Sequence, residues 1–216
     1  MHRNAYFASN ANFLGNVGIG TTTPWTKLAL VGSEELQTGA MTLASSSRQA
    51  NMGAAGFVVV NQHYAYVSAS QIGTPNGNSL TVFDVSSSTN PVMLKQISGV
   101  AATNGAEQME IAGQYLYLVD LTGNAFSVFD ISSPANPTLV GYLQDATQLH
   151  GAASLRIVGN YAYVSNFSAT VSQPGFTVVD ISNPTAPKVV GTPSRSNFNS
   201  PVYVQVRYPY AYVTNE

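Results

Sequence analysis

The chain has 216 residues, of which only 8% are charged, and its formal net charge is −2 at pH 7. This charge content lies far below the ~25% of ordinary soluble domains, so we expect a polar but largely uncharged surface. The absence of a basic run argues against nucleic acid as a partner. Cysteine is absent, which excludes disulfide frameworks and thiolate metal sites.

The first residues lack the apolar stretch of a secretory signal. No uninterrupted apolar segment approaches the roughly 20 residues of a membrane helix, so we expect no bilayer span. If the protein is exported, its signal is expected upstream of this sequence.

The N-terminal segment, residues 1–32, contains the stretch GNVGIGTTTPWTKLALVG at Gly15–Gly32. A dinucleotide-binding fingerprint is disfavoured, because Thr23 stands where the third glycine is needed. The stretch resembles the Gly-Val-Gly-Ile-Gly-Thr-Thr-x-Pro-x-x-Lys-Leu motif of phage tail-fibre and bacterial surface-fibre proteins, with Asn16 at the first glycine position. That resemblance implies a short β-structured shaft and a homotrimer. Alternating glycines suit such tight packing between chains.

Residues 33–56 are rich in Ser, Ala, Gly and Gln and have only scattered large apolar side chains. This composition predicts a linker between the N-terminal segment and the rest of the chain.

From Phe57 onward the sequence repeats itself. A Tyr-x-Tyr pair recurs at intervals of 51, 46 and 49 residues. An apolar run ending in Asp follows three of the pairs, and a proline stands seven residues after each Asp. The marker residues are Tyr64/Tyr66, Tyr115/Tyr117, Tyr161/Tyr163 and Tyr210/Tyr212, then Asp84, Asp130 and Asp180, then Pro91, Pro137 and Pro187. The pattern predicts repeats at 57–104, 105–151 and 152–200 and a partial repeat at 201–216.

Each repeat divides into four short apolar runs separated by turn residues. In the second repeat these runs are Met109–Ala112, Tyr115–Asp120, Ala125–Ile131 and Thr138–Leu143. The lengths are those of strands. The run Tyr115–Val119 is apolar at successive positions, which predicts a sheet buried on both faces. The prediction is an all-β fold of four-stranded antiparallel blades of a β-propeller, incomplete at about 3.5 blades, preceded by the fibre-like segment.

The repeated aspartates look at first like catalysts. Each is followed by Val or Ile and then Ser, a setting in which a carboxylate accepts backbone N–H bonds and holds a turn. Because an acid at the same position of every repeat is expected to stabilise the repeat itself, we interpret Asp84, Asp130 and Asp180 as structural.

The third repeat reads Tyr-Ala-Tyr-Val and then FTVVDISNPTAPKVVG at Phe176–Gly191. It resembles the LVIVD repeat, a family of propeller-type repeats found in bacterial surface and secreted proteins. The resemblance covers about Phe57–Glu216. It implies a structural or binding module and supplies no active-site residues.

Residues with catalytic or metal-binding potential are few and scattered. The carboxylates within the repeats, apart from the repeated aspartates, are Glu107, Glu110, Asp120 and Asp145, and the histidines are His2, His63 and His150. Glu107 and Glu110 stand at the start of a blade, where the central channel is expected. No histidine has a second ligand at metal-site spacing, and no Gly-x-Ser-x-Gly elbow occurs. We therefore predict no catalytic, metal or cofactor-binding residues, and no cofactor.

Two functions remain open. The first is a non-enzymatic extracellular or cell-surface protein that binds a protein or glycan through its hairpin loops, as an adhesion-like display module. The alternative is a fragment of a propeller hydrolase or lactonase with its active site in the central channel. The fourth repeat reaches only its second strand, so we expect the chain to be a fragment with exposed blade faces.

Overall fold

A computed structural model of the chain describes residues 17–19, 28–30, 54–70, 78–167, 175–193 and 200–215. These residues form sixteen β-strands and one short 3₁₀ turn at Ala101–Thr103, with no α-helix among them. The chain divides into two compact units, Met1–Ala44 and Ser45–Glu216.

In the first unit, strand β1 (Val17–Ile19) pairs in parallel with β2 (Leu28–Leu30), and Val17 lies opposite Leu28. The other residues of the fibre-like motif lie outside the described residues, and so does most of the predicted linker.

In the second unit, three repeats each form a four-stranded antiparallel sheet. The first sheet is β3 (Ala54–Asn61), β4 (Tyr64–Ser70), β5 (Ser79–Asp84) and β6 (Val92–Ser98). The second is β7 (Ala106–Ala112), β8 (Tyr115–Asp120), β9 (Ala125–Asp130) and β10 (Thr138–Gln144). The third is β11 (Ala152–Val158), β12 (Tyr161–Asn166), β13 (Phe176–Asp180) and β14 (Lys188–Gly191), and β15 (Pro201–Arg207) pairs with β16 (Tyr210–Asn215).

This architecture confirms the predicted all-β fold of tandem antiparallel blades in an incomplete propeller. Within each sheet the strands lie in chain order. The first strands of two repeats start earlier than predicted: β3 starts at Ala54 and β7 at Ala106, three residues before Phe57 and Met109. Each first strand carries a register shift near its beginning, such as that between Ala106 and Met109, which hides the start of the strand from a simple apolar pattern.

Successive blades pack through apolar clusters. Tyr66 and Phe129 are buried between the first and second sheets, and Phe126 and Leu155 between the second and third. Strand β8 is buried on both faces except at Tyr115, as its sequence predicts. The fourth repeat presents the exposed blade face that the sequence predicts, with Tyr210 and Tyr212 exposed to 65% and 59%.

The first strands of successive blades lie next to one another. The backbone N–H of Leu155 on β11 donates to Gln108 Oε1 on β7 at 2.9 Å, and the N–H of Val204 on β15 donates to Ser154 Oγ on β11 at 3.2 Å. This neighbour relation between first strands is that of blades arranged radially.

Candidate binding surface at the loop end

Two kinds of connection meet at one end of the blades. The links between repeats and the hairpins between second and third strands lie at this end, because the first and third strands of each sheet begin there. We call it the loop end. Its described residues are Asn78, residues 99–105, residues 121–124, residues 145–151, Phe167, Gly175, residues 192–193 and Ser200.

In the first two blades, an asparagine joins the hairpin to the link that follows it. Asn78 Nδ2 donates to Asn104 Oδ1 at 3.2 Å, so the first blade holds the link that enters the second. Asn124 Oδ1 accepts the N–H of Gly151 at 2.9 Å, so the second blade holds the link that enters the third. Asn78 and Asn124 each stand six residues before a repeated aspartate. The repeat thus builds a continuous surface from loops of neighbouring blades.

The last residue of each link has a left-handed backbone. Gly105 has φ +100° and Gly151 φ +69°, and Ser200 occupies the same position with φ 48°. A Cβ at Gly151 would lie 1.8 Å from the Phe167 carbonyl oxygen. Glycine is therefore needed there for close backbone approach as well as for φ.

A pocket of about 220 Å³ opens at the loop end between the first two blades. The residues that line it are Asn78, Gly99, Val100, Ala101 and Asn104. Two of these carry side-chain amides and the others are apolar or glycine. The lining is uncharged, in keeping with the low charge of the whole chain.

Asp120 ends β8 close to the link that lines this pocket. Its side chain is fully buried, and Oδ1 accepts the N–H of Gly123 at 2.7 Å. Its Oδ2 has no hydrogen-bond partner among the described residues. Burial raises the pKa of Asp120 to about 7, although the nearby backbone N–H groups of Gly123 and Asn104 partly offset this.

Glu107 and Glu110 lie on β7, the first strand of the second blade. Glu107 Oε1 accepts a hydrogen bond from Ser70 Oγ at 3.1 Å. Glu110 Oε2 accepts the N–H of Ile157 at 3.1 Å, and its Oε1 lies 3.4 Å from Arg156 Nη1. Burial raises the pKa of both carboxyls, and for Glu110 the Arg156 charge partly offsets the rise. Both acids connect neighbouring blades.

The sequence contains the LVIVD repeat in three stretches, residues 52–98, 105–145 and 151–193, which together span more than half of the chain. The chain belongs to the LVIVD repeat family. The three stretches correspond to the three four-stranded sheets. No curated protein matches the chain.

Solved structures share the fold of this LVIVD-repeat protein. The computationally designed Ika4 protein is 10% identical with TM-score 0.57, and the match covers 79% of this chain and 90% of that one. A protein from Lactobacillus plantarum is 16% identical with TM-score 0.59, covering 74% and 48%. A "putative 6-phosphogluconolactonase" from Bacteroides uniformis is 12% identical with TM-score 0.55, covering 71% and 47%. At these identities the likeness concerns the fold alone. The chain spans about half the length of the two natural proteins.

The repeated aspartates lie at the opposite end of the blades and hold turns. The N–H groups of Ser86, Ser132 and Ser182 donate to Asp84, Asp130 and Asp180 at 2.8, 2.7 and 2.8 Å. These hydrogen bonds lower the pKa of each carboxyl. The predicted turn-holding hydrogen bonds of the three aspartates are confirmed.

The remaining candidates lie apart. Asp145 Oδ1 accepts the N–H groups of Thr147 and Gln148 at 2.9 and 2.8 Å, so it holds the link between the second and third blades. His63 packs beside Tyr64 with 5.8 Å between ring centroids. His150 lies in the same link as Asp145, and His2 is outside the described residues. Within the described ranges, no three His, Asp or Glu side chains gather as metal ligands.

No helix among the described residues is long and apolar enough to cross a membrane.

The joining asparagines and the burial of Asp120 were not predicted from the sequence. The asparagines have a weak signal, since Asn78 and Asn124 precede Asp84 and Asp130 by the same six residues. Asp120 also has one: the position three residues after the second tyrosine is Asp120 in the second repeat and Asn166 in the third.

Proposed function

We propose that this LVIVD-repeat protein is a non-enzymatic binding module that acts outside the cell and contacts its ligand through the loop end. The observation that carries the proposal is the uncharged pocket built between two blades, with Asn78 of one blade hydrogen-bonded to Asn104 of the next. Hydrogen bonds fix this surface, so it is available for recognition with little loss of conformational freedom on binding.

The chemistry of the pocket favours a neutral polar ligand. A side-chain amide can both donate and accept, which suits the hydroxyls of a glycan or the amides of a protein loop. The volume of about 220 Å³ is below the ~300–1,000 Å³ of ordinary small-molecule sites. The pocket would therefore take one sugar unit or one side chain of a larger ligand.

The non-enzymatic part of the proposal is supported by what the acids do. Glu110 accepts an N–H across the interface between blades, Asp145 holds a link, and the repeated aspartates hold turns. The oxygens of these carboxylates accept hydrogen bonds that stabilise the fold. The likeness to the 6-phosphogluconolactonase structure is a likeness of fold at 12% identity, so it adds no support for a lactonase.

Location outside the cell is supported by the sequence. The stretch Gly15–Gly32 resembles fibre proteins, and the surface carries few charges. We propose that the N-terminal segment forms a homotrimeric stalk that displays the repeats.

The test is binding of the labelled full chain to arrays of neutral glycans and of extracellular protein fragments. The variant Val100→Glu places a charge in the pocket lining, and the matched control Gln114→Glu places the same charge on an exposed turn at the opposite end. We expect the chain and the control to bind the same ligands, and Val100→Glu to lose at least ten-fold in affinity.

Equal binding by all three proteins, or binding to nothing on either array, would overturn the proposal. An assay of 6-phosphogluconolactone hydrolysis addresses the enzymatic alternative. We expect the full chain to leave the spontaneous rate unchanged.

A further inference from the structure

Asp120 and Asn166 occupy the same position in the second and third blades, at the end of the second strand. Asn166 is an amide, and its Nδ2 donates to the Gln148 carbonyl at 2.9 Å and to Thr177 Oγ1 at 2.8 Å. The Thr177 hydroxyl also bonds the Gln148 carbonyl. In the third blade, amide hydrogens thus tie the strand to the link that enters the blade.

The second blade has the same acceptors. Ala102 stands where Gln148 stands, Ser127 stands where Thr177 stands, and Ser127 Oγ donates to the Ala102 carbonyl at 3.2 Å. Where the third blade has the amide of Asn166, however, the second blade has the carboxyl of Asp120. An ionised carboxylate has no hydrogen to donate, and Asp120 Oδ2 lies fully buried without a partner among the described residues.

A buried carboxylate with an unsatisfied oxygen is costly, whereas a neutral carboxylic acid has an O–H and can donate. We infer that Asp120 is a neutral acid in the folded protein, that its O–H supplies the hydrogen bond made by Asn166 in the third blade, and that its ionisation loosens residues 99–105. The loop end of the second blade is therefore a proton-controlled surface.

The electrostatics around Asp120 agree with this inference. Burial raises its pKa to about 7, and the Glu107 carboxyl on β7 raises it further. Tyr142 on β10 also interacts with it: burial raises the pKa of Tyr142, and the Asp120 carboxyl raises it further. The N–H of Gly123, which donates to Oδ1, favours the charged form, and so does the nearby N–H of Asn104, although its hydrogen bond goes to the Ala101 carbonyl at 3.3 Å.

The consequence is a switch near neutral pH. A carboxyl with a raised folded-state pKa contributes stability that is complete below its unfolded pKa of about 3.8 and is lost as pH rises through about 7. Asn104 and Ala101 line the pocket, so ligand affinity should fall as pH rises through about 7. That last step rests on the proposed function, while the protonation of Asp120 does not.

The experiment is a pH titration of the full chain with ¹³C-labelled aspartate carboxyls, followed by NMR. We expect one aspartate carboxyl to titrate near pH 7, the amide signals of Ala102 and Asn104 to follow it, and the transition to vanish in Asp120→Asn. The control Asp130→Asn should leave that transition in place, because Asp130 titrates at acid pH.

Denaturant unfolding between pH 5.5 and pH 8.5 is the second readout. Below about pH 7, unfolding releases the proton of Asp120. The unfolding equilibrium constant of the wild type should therefore rise by up to ten-fold per unit increase in pH in the lower part of this range, relative to that of Asp120→Asn. If every aspartate carboxyl titrates below pH 5, the inference is wrong. It is equally wrong if Ca²⁺ stabilises the wild type but not Asp120→Asn at pH 8.5, since a cation would then hold Oδ2.

The NMR titration needs no ligand, so it separates this inference from the proposed function. A titration near pH 7 supports the inference even when both arrays show no ligand. A ligand that binds with equal affinity at pH 5.5 and pH 8.5 would leave the proposed function standing and overturn the proton control.

Discussion

Glu110 and Arg156 occupy the same position in successive repeats and meet across the interface between their blades, with 3.4 Å between Oε1 and Nη1. Each lies opposite the second tyrosine of its own repeat, Tyr117 or Tyr163. The first repeat has Val59 at this position, and the partial fourth has Gln205. The repeat thus keeps its backbone while changing the side chains that join neighbouring blades.

Removal of the Glu110 carboxyl should destabilise this interface. Glu110→Ala leaves the Ile157 N–H without its acceptor, and we expect the free energy of unfolding to fall by about 1–2 kcal/mol. Glu110→Gln keeps an acceptor and should cost less. Because the side chains of Glu110 and Arg156 are 20% and 36% exposed, a double-mutant cycle between them should give a coupling of about 0.5 kcal/mol. A coupling several times larger would contradict a solvent-screened pair.

The Tyr66 hydroxyl donates to the Pro134 carbonyl at 3.1 Å and joins the first blade to the second. Tyr66→Phe should lower the free energy of unfolding by about 1 kcal/mol. Burial raises the pKa of Tyr66 from the ordinary value of 10.0 to about 12, and an ultraviolet titration should show a component near pH 12 that Tyr66→Phe removes. Removal of the hydroxyl of Tyr210, which is exposed, is the control and should leave stability unchanged.

Substitutions at Gly151 and Gly113 distinguish two reasons why a position requires glycine: a left-handed backbone and a close approach of another backbone. Both have positive φ, of +69° and +60°. A Cβ at Gly113 meets nothing within 4 Å, whereas one at Gly151 would overlap the Phe167 carbonyl. Gly113→Ala should cost about 1–2 kcal/mol for the left-handed backbone alone. Gly151→Ala should cost clearly more, as judged by denaturant unfolding, and equal costs would show that the close approach is absent.

The repeated aspartates should give an acid-sensitive component of stability. Hydrogen bonds from Ser86, Ser132 and Ser182 lower the pKa of the three carboxyls below the ordinary value of 3.8. Their contribution is therefore present above about pH 4 and lost as pH falls through the lowered pKa. A chain with all three aspartates changed to Asn should unfold less steeply with acid than the wild type. An unchanged acid titration would mean that these turns do not depend on charge.

The homotrimeric stalk proposed for the N-terminal segment can be tested by the oligomeric state of the full chain. If glycines allow three chains to pack closely, Gly18→Val in the full chain should convert a trimer to a monomer in light scattering. The same change at Gly113, far along the chain in an exposed turn, should leave the trimer intact. If the wild type and both variants are monomers, the proposed homotrimeric stalk is wrong.

Strand order and repeat length were predictable because apolar runs, turn residues and the Tyr, Asp and Pro marks recur in register. The roles of Asp84, Asp130 and Asp180 followed from their recurrence. The loop end was harder, because Asn78 contacts Asn104 across 26 residues and Asn124 contacts Gly151 across 27. Contacts between blades join residues that are far apart in the sequence, so no local sequence pattern predicts them. For Asp120, burial depends on how the link folds over the strand end, which spacing alone does not show.

The most direct test of the central claim is hydrogen–deuterium exchange of the full chain with and without its best array ligand. We predict slower exchange on binding at residues 99–105 and 121–124, and no change at the turns 113–114 and 159–160 of the opposite end. Protection confined to those opposite turns, or to the outer strands β6, β10 and β14, would contradict a ligand site at the loop end.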